Sequence, residues 1–263
     1  MSGQQKVLVI TGGSSGIGKA TAQFFADRSY RVYELSRHGV DSGDIRHIDC
    51  DVTDAVVCGE AVHQVIAQAG KVDVLICNAG MGISGAVEFT APEAACLQMS
   101  VNFHGTMNVV NAVLPHMREL RQGHIIFVSS LAAVFPIPFQ AYYSASKAAL
   151  NAIALALANE ARPYGLKVCC LLPGDVKTGF ADARNKNMAG AEVYKNMERA
   201  VSTMERDENN GLSPIRLARK LYKMAETPSP DVFYTVGLKY HLFLGLSKVL
   251  PATFVNWVVG KLY

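Results

Sequence analysis

Lys6-Val-Leu-Val-Ile-Thr-Gly-Gly-Ser-Ser-Gly-Ile-Gly18 is an apolar run, a glycine turn and the opening of a helix in succession. The apolar run reads as a strand buried on both faces. Ile17 to Arg28 continues at helical spacing. Glycines between a strand and a helix allow positive φ and close approach of the backbone to a ligand. Amides at the helix N-terminus then attract an anion such as a pyrophosphate. Gly12, Ser14, Ser15, Gly16, Ile17 and Gly18 are the residues placed to do so. The spacing is G-x-x-x-G-x-G, without the Lys-Ser/Thr end of a P-loop. Taken alone, the same glycines also fit a tight turn with no ligand.

Outward from this turn, strands and helices alternate. Arg31–Ser36, Arg46–Val52, Val72–Cys77, His124–Ser129, Leu166–Leu172 and Val232–Val236 read as further strands. Helical patterns occupy Ala55–Ala69, Pro92–Met117, Ala141–Arg162 and Ser213–Ala225, the last with Ser213 as N-cap. This predicts an α/β fold: a single doubly wound Rossmann-type domain over residues 1–263. Its parallel sheet has about seven strands with helices on both faces. Gly174–Gly211 is polar and helical only in patches, and is read as a substrate lid. Residues 238–263 form an apolar C-terminal extension.

Composition limits the partners. The chain has 263 residues, 50% apolar and 18% charged, with a net charge of +3. That excludes a disordered chain and gives no basic patch for nucleic acid. Cys50, Cys58, Cys77, Cys96, Cys169 and Cys170 show no C-x-x-C and no metal spacing, so free thiols of a reducing cytosol are expected. Met1–Lys6 is polar and does not read as a signal peptide. The long uncharged stretch Ile125–Ser146 contains Pro136, Pro138 and Gln140, so no membrane span is predicted. A cytoplasmic protein is expected, with peripheral membrane contact left open.

The end of the second strand decides between cofactors. An acid there binds the ribose 2′-hydroxyl of NAD, whereas Ser36 and Arg37 can bond a 2′-phosphate. NADP(H) is the preferred cofactor, and Glu34, inside the strand, keeps NAD(H) open.

Tyr143 and Lys147 lie four residues apart, on one face of the Ala-rich helix. Ser130 follows the preceding strand, at the carboxyl edge where open α/β sheets bind ligands. A free tyrosine has a pKa of about 10. A neighbouring ammonium favours its anion, and a serine hydroxyl can orient a substrate oxygen.

Together these residues resemble the short-chain dehydrogenase/reductase family over Lys6–Val236. The resemblance implies that Asp51, followed by Val52, binds the adenine amino group. It implies cofactor contacts from Asn78-Ala79-Gly80 and Pro173-Gly174, with Val176 and Thr178 near the nicotinamide carboxamide. It makes Ser130, Tyr143 and Lys147 catalytic, with Lys147 binding the ribose and lowering the Tyr143 pKa. Asn102 would hold a water in a proton relay. Read from the residues alone, Asn78 fits a cross-sheet backbone bond, Asn102 a helix kink and Asp51 a loop cap.

Met81–Gly85, Leu131–Phe139 and Phe180 are nearly uncharged and point to an apolar pocket. The tail Val232–Tyr263 resembles the hydroxysteroid and retinol dehydrogenase branch, which implies a steroid-, retinoid- or lipid-like alcohol and ketone pair. A general carbonyl or 3-oxoacyl reductase is the alternative enzyme. A non-catalytic NADP(H) sensor is the alternative of another class. Leu238, Leu242, Leu246 and Val249 share one helical face. They could pack on the body or a partner subunit, rest on a membrane, or close over substrate. By resemblance, a homodimer or homotetramer forms through the Pro92–Met117 and Ala141–Arg162 helices.

Overall fold

The computed structural model describes residues 5–263; Met1–Gln4, part of the polar start, lie outside the described residues. The chain runs β1 (Val7–Thr11), α1 (Gly16–Ala26), β2 (Arg31–Ser36), β3 (Ile45–Asp49), α2 (Ala55–Ala69) and β4 (Val74–Cys77). It continues through β5 (Ile83–Ser84), α3 (Pro92–Met99), α4 (Gly105–Leu120), β6 (Gly123–Val128), α5 (Ala141–Ala161) and β7 (Leu166–Leu171). Then follow α6 (Phe180–Ala183), β8 (Asn185–Lys186), α7 (Met197–Asn209), α8 (Pro214–Glu226), β9 (Phe233–Tyr234), α9 (Leu238–Ser247) and α10 (Ala252–Leu262).

Seven strands make one parallel sheet in the order β3-β2-β1-β4-β6-β7-β9. The chain builds outward from β1 to one edge, returns, and builds from β4 to the other. The crevice between β1 and β4 is the topological switch point, where doubly wound sheets bind ligands. Apolar side chains pack on both faces. Val9, Leu75, Ile125 and Val168 meet residues of α2, α4 and α5, while Leu8, Ile10, Ile76 and Ile126 meet those of α1 and α8. This two-sided burial is why β1 and β4 read as unbroken apolar runs.

Several boundaries differ from expectation, each for a local reason. The third strand stops at Asp49, not Val52. The Asp51 carboxylate accepts from Thr53 N at 2.9 Å and Thr53 Oγ1 at 2.7 Å, and Asp54 caps α2 through Val56 N and Val57 N. These local bonds compete with the sheet ladder. The last strand shrinks to Phe233–Tyr234. Ser213 holds the N-cap position of α8 but its side chain makes no capping bond. Pro92–Met117 is not one α-helix: Ser100–His104 is a π-helical turn between α3 and α4.

The expected lid is more ordered than its composition suggested. β8 pairs in parallel with β5, tying Asn185–Lys186 to the loop after β4. Helix α7 buries Met197, Ala200, Val201 and Met204. The tail folds back as α9 and α10. Of the Leu238–Val249 face, Leu246 lines the cavity while Leu238 is 88% and Val249 76% accessible, so Leu238 and Val249 do not pack on the body of the chain. Tyr240 turns inward instead, against the same core as β7 and α5. No helix among the described residues is long and apolar enough to cross a membrane.

Candidate active site

The glycine turn is built for close packing. Gly12 has φ of 64°, and a Cβ there would lie 3.0 Å from Ala79 Cα. A Cβ on Gly18 would lie 2.1 Å from the Gly12 carbonyl oxygen. Asn78 Nδ2 donates to Thr11 O at 3.0 Å and Gly12 O at 3.1 Å. Thr11 Oγ1 accepts from Asn78 N and Ala79 N, both at 3.0 Å. Asn78 thus holds the turn against the end of β4, the cross-sheet reading of that residue. Ser15 occupies the N-cap of α1 with no side-chain capping bond, so the first amides of that helix are left to an external acceptor.

One continuous cavity of about 820 Å³ starts at this turn and ends at the C-terminal helices. Of the residues singled out by sequence, Gly12, Ser15, Gly16, Ile17, Asn78, Ala79, Gly80, Ser130, Tyr143, Lys147, Pro173, Gly174, Val176 and Thr178 line it. Ser14, Gly18, Ser36, Arg37, Asp51, Val52 and Asn102 do not. Ser14 and Gly18 belong to the turn itself. Ser36 ends β2 and Arg37 follows it; the Leu35 carbonyl of β2 accepts from Gly12 N at 2.8 Å. Arg37 is exposed, and Ser36 Oγ donates to His38 O at 3.0 Å. The Asp51 carboxyl sits below its ordinary value through the two Thr53 hydrogen bonds, with a smaller contribution from Arg37. Val52 is buried and its carbonyl accepts from Asn108 Nδ2 at 2.9 Å.

Glu34 does not face this cleft. Its carboxylate is hydrogen-bonded by His47 Nδ1, beneath Gly13, where a Cβ would strike the Glu34 side chain. His47 Nε2 reaches Asp49 Oδ1 at 2.9 Å. Burial alone would lower the His47 pKa, but the bonds to Asp49 and Glu34 raise it above its ordinary value.

Ser130 caps the short turn Leu131–Ala133, its Oγ accepting from Ala132 N at 3.1 Å. Tyr143 stands in the first turn of α5, its ring 5.9 Å from that of Phe180. Burial pushes its phenol up to about 12, while hydrogen bonding with Ser130 pulls the other way. Lys147 is 4% exposed, and its Nζ donates to Val128 O at 2.9 Å. That nitrogen lies 5.9 Å from the Tyr143 ring centroid. Burial lowers the ammonium to about 8. Burial thus governs both groups: at neutral pH the phenol is protonated and the amine is mostly charged.

Asn102 is fully buried in the π-helical turn. Its Oδ1 accepts from Met81 N at 2.8 Å. Its Nδ2 donates to Met81 O and Ser146 Oγ, both at 3.0 Å. The amide is committed to fixing the loop after β4 against α5. Gly80 lies between Asn102 and Lys147, with room for no more than a Cβ 3.4 Å from Lys147 Nζ.

Several polar residues at the cavity were not singled out by sequence, Asp175, Thr203, Arg206, Asp207 and Lys239 among them. Gln140 and Glu208 line the cavity, and Arg184 is buried beside it, ion-paired to Glu208. With its amide oxygen facing the guanidinium, Gln140 accepts from Arg184 Nε at 3.1 Å and Nη2 at 3.2 Å. Burial raises the Glu208 carboxyl, against the pull of Arg184. The expected uncharged pocket therefore has a polar corner. No sequence signal marked it, because these residues lie in otherwise ordinary polar or loop segments. The opposite wall is apolar: Phe243, Leu250, Val255, Val258 and Val259 of the tail.

The doubly wound sheet and this cleft define a Rossmann-type fold, and comparison with known proteins gives the family. The short chain dehydrogenase pattern matches residues 6–189. The 3-ketodihydrosphingosine reductase of Bacteroides thetaiotaomicron is 38% identical over 265 residues, covering 99% of this chain and 98% of the relative. The dehydrogenase/reductase SDR family member 7B of Xenopus tropicalis is 31% identical over 275 residues, covering 98% and 86%. A short-chain dehydrogenase structure from Streptomyces avermitilis superimposes with a TM-score of 0.81 at 28% identity, covering 94% and 96%. The chain belongs to the short-chain dehydrogenase family and is an oxidoreductase acting on CH–OH donors.

Proposed function

We propose that this enzyme interconverts a lipid-like ketone and its alcohol with NADP(H). The observation that carries the reading is the continuity of the cavity, which joins the glycine turn and Tyr143 to an apolar wall. The uncapped amides of α1 and the Cβ-free floor of the turn fit a pyrophosphate. Ser36 and Arg37 suit a 2′-phosphate, and the Glu34 carboxylate is directed to His47. When bound, the cofactor supplies or accepts the hydride.

In reduction, Tyr143, kept protonated by burial, donates its phenolic proton to the carbonyl oxygen. Ser130 donates a hydrogen bond to that oxygen and fixes its position. Lys147 binds ribose hydroxyls, and its charge favours the phenolate left after transfer. Asn102 positions Met81 and α5 around these groups. Segment 174–211 closes the cavity through Phe180 and Thr203. The apolar tail wall and the name of the Bacteroides relative, a 3-ketodihydrosphingosine reductase, support a keto lipid over a steroid.

The test is nicotinamide absorbance with NADPH and NADH over long-chain keto lipid, steroid, retinoid and small carbonyls. NADPH oxidation on a long-chain ketone, lost about 10²–10⁴-fold in a folded Tyr143→Phe variant, is expected. Near-normal turnover by that variant would overturn the assignment of Tyr143. Cofactor binding with no turnover on any carbonyl would favour a sensor.

A further inference from the structure

We infer that the outer face of α9 and α10 docks on an anionic lipid bilayer, so that the cavity opens toward the leaflet. The inner face of these helices is already used: Phe243, Val255, Val258 and Val259 line the cavity. The outer face is apolar and uncovered, with Leu238 88%, Leu242 59%, Val249 76% and Trp257 59% accessible. Large apolar side chains so exposed, with Phe254 stacked on Trp257, mark a contact surface.

Charge selects the occupant. From Val232 to Tyr263 the chain holds Lys239, Lys248 and Lys261 and no Asp or Glu. All three lysines are exposed. A second copy seated on this face by two-fold symmetry would bring lysines against lysines, with no carboxylate from either tail to offset them. An anionic headgroup layer offsets them, and apolar side chains with a tryptophan suit the boundary below it. Leu246, Phe254 and Leu262 both line the cavity and reach solvent, at 40%, 48% and 60% exposure. They are the rim through which cavity and patch are continuous. A keto lipid could then pass from leaflet to Tyr143 without leaving apolar surroundings. That last step rests on the function proposed above; the docking does not.

Vesicle sedimentation tests the docking, using the full chain with phosphatidylcholine vesicles, with and without phosphatidylserine. The expected result is binding that rises with phosphatidylserine and falls with salt. Val249→Glu/Trp257→Glu should abolish it while turnover of a water-soluble ketone is unchanged, since neither side chain touches the cavity. Lys248→Ala/Lys261→Ala should weaken it about fivefold per lysine. No vesicle binding by the wild type, or binding that survives the double Glu variant, overturns the proposal. So does a solution dimer that the double Glu variant dissociates while vesicles are ignored. Retained, variant-sensitive vesicle binding with no turnover on any ketone upholds the docking and overturns the catalytic reading instead.

Discussion

Tyr240→Phe isolates the bond that fastens the tail to the cofactor edge of the sheet. The Tyr240 hydroxyl donates to Asp175 Oδ2 at 2.7 Å and accepts from Asp175 N at 3.0 Å. Its ring lies against Gly174, where a Cβ would come within 2.2 Å of it. The substitution keeps the ring and its packing but removes both hydrogen bonds. A bond to a carboxylate contributes about 1.5–3 kcal/mol, and the stranded amide adds to the loss. A loss of about 2 kcal/mol corresponds to a fall in Tm of about 4–8 °C for a domain of this size. Calorimetry of the purified variant gives the shift. Turnover should separate as well: KM for a long-chain ketone rises because α9 forms its wall, while kcat on a small ketone holds. A Tm within about 1 °C of wild type, with unchanged KM, would refute the idea that this contact anchors the tail.

Three further outcomes follow from the geometry. Arg37→Ala should weaken NADPH binding about tenfold or more and leave NADH unchanged, by fluorescence titration; equal losses for both would remove Arg37 from the 2′-phosphate. Burial lowers Lys147 to about 8, so in the free enzyme its charge disappears as pH rises through that value. The kcat/KM profile should therefore fall above pH of about 8, and a profile flat to pH 10 would contradict an ammonium role. The His47 pKa is raised in the folded state, so its stabilisation is complete below about pH 6.5 and is lost as pH rises through the raised value. Urea midpoints should show this loss in wild type and a flatter profile in Glu34→Gln; identical profiles would dissociate the pair from stability.

The centre of the sheet was legible because β1 and β4, buried on both faces, leave a simple trace of consecutive apolar residues, whereas the edge strand β3, Ile-Arg-His-Ile-Asp, alternates with exposed polar positions and was less clear. The Tyr143–Lys147 pair was legible because helical spacing puts both side chains on one face. Asn102 was only half legible. Its partners Met81 and Ser146 lie 21 and 44 residues away, and nothing local encodes them. Helix α7 was readable from Met197, Ala200, Val201 and Met204, which recur at helical spacing, but its polar surroundings hid the pattern. The tail offered an apolar face at Leu238, Leu242, Leu246 and Val249 and further apolar residues around it. Periodicity alone did not fix which side turns inward; Tyr240 does, through its hydroxyl bonds to Asp175. The Arg184–Glu208 pair left no trace, since a buried ion pair and two solvated charges look alike in sequence.

The π-helical turn at Ser100–His104 holds one residue more than a regular helix would spend there. Each residue of an α-helix turns the chain by about 100°. Excising one residue within this turn would regularise the hydrogen bonding and turn Asn102 away from Met81 by part of that angle. The same excision would leave Val109, Val113 and Met117 of α4 in register with the core. Insertions and deletions along this helix are thus not equivalent, and a tidier helix here would be a poorer scaffold.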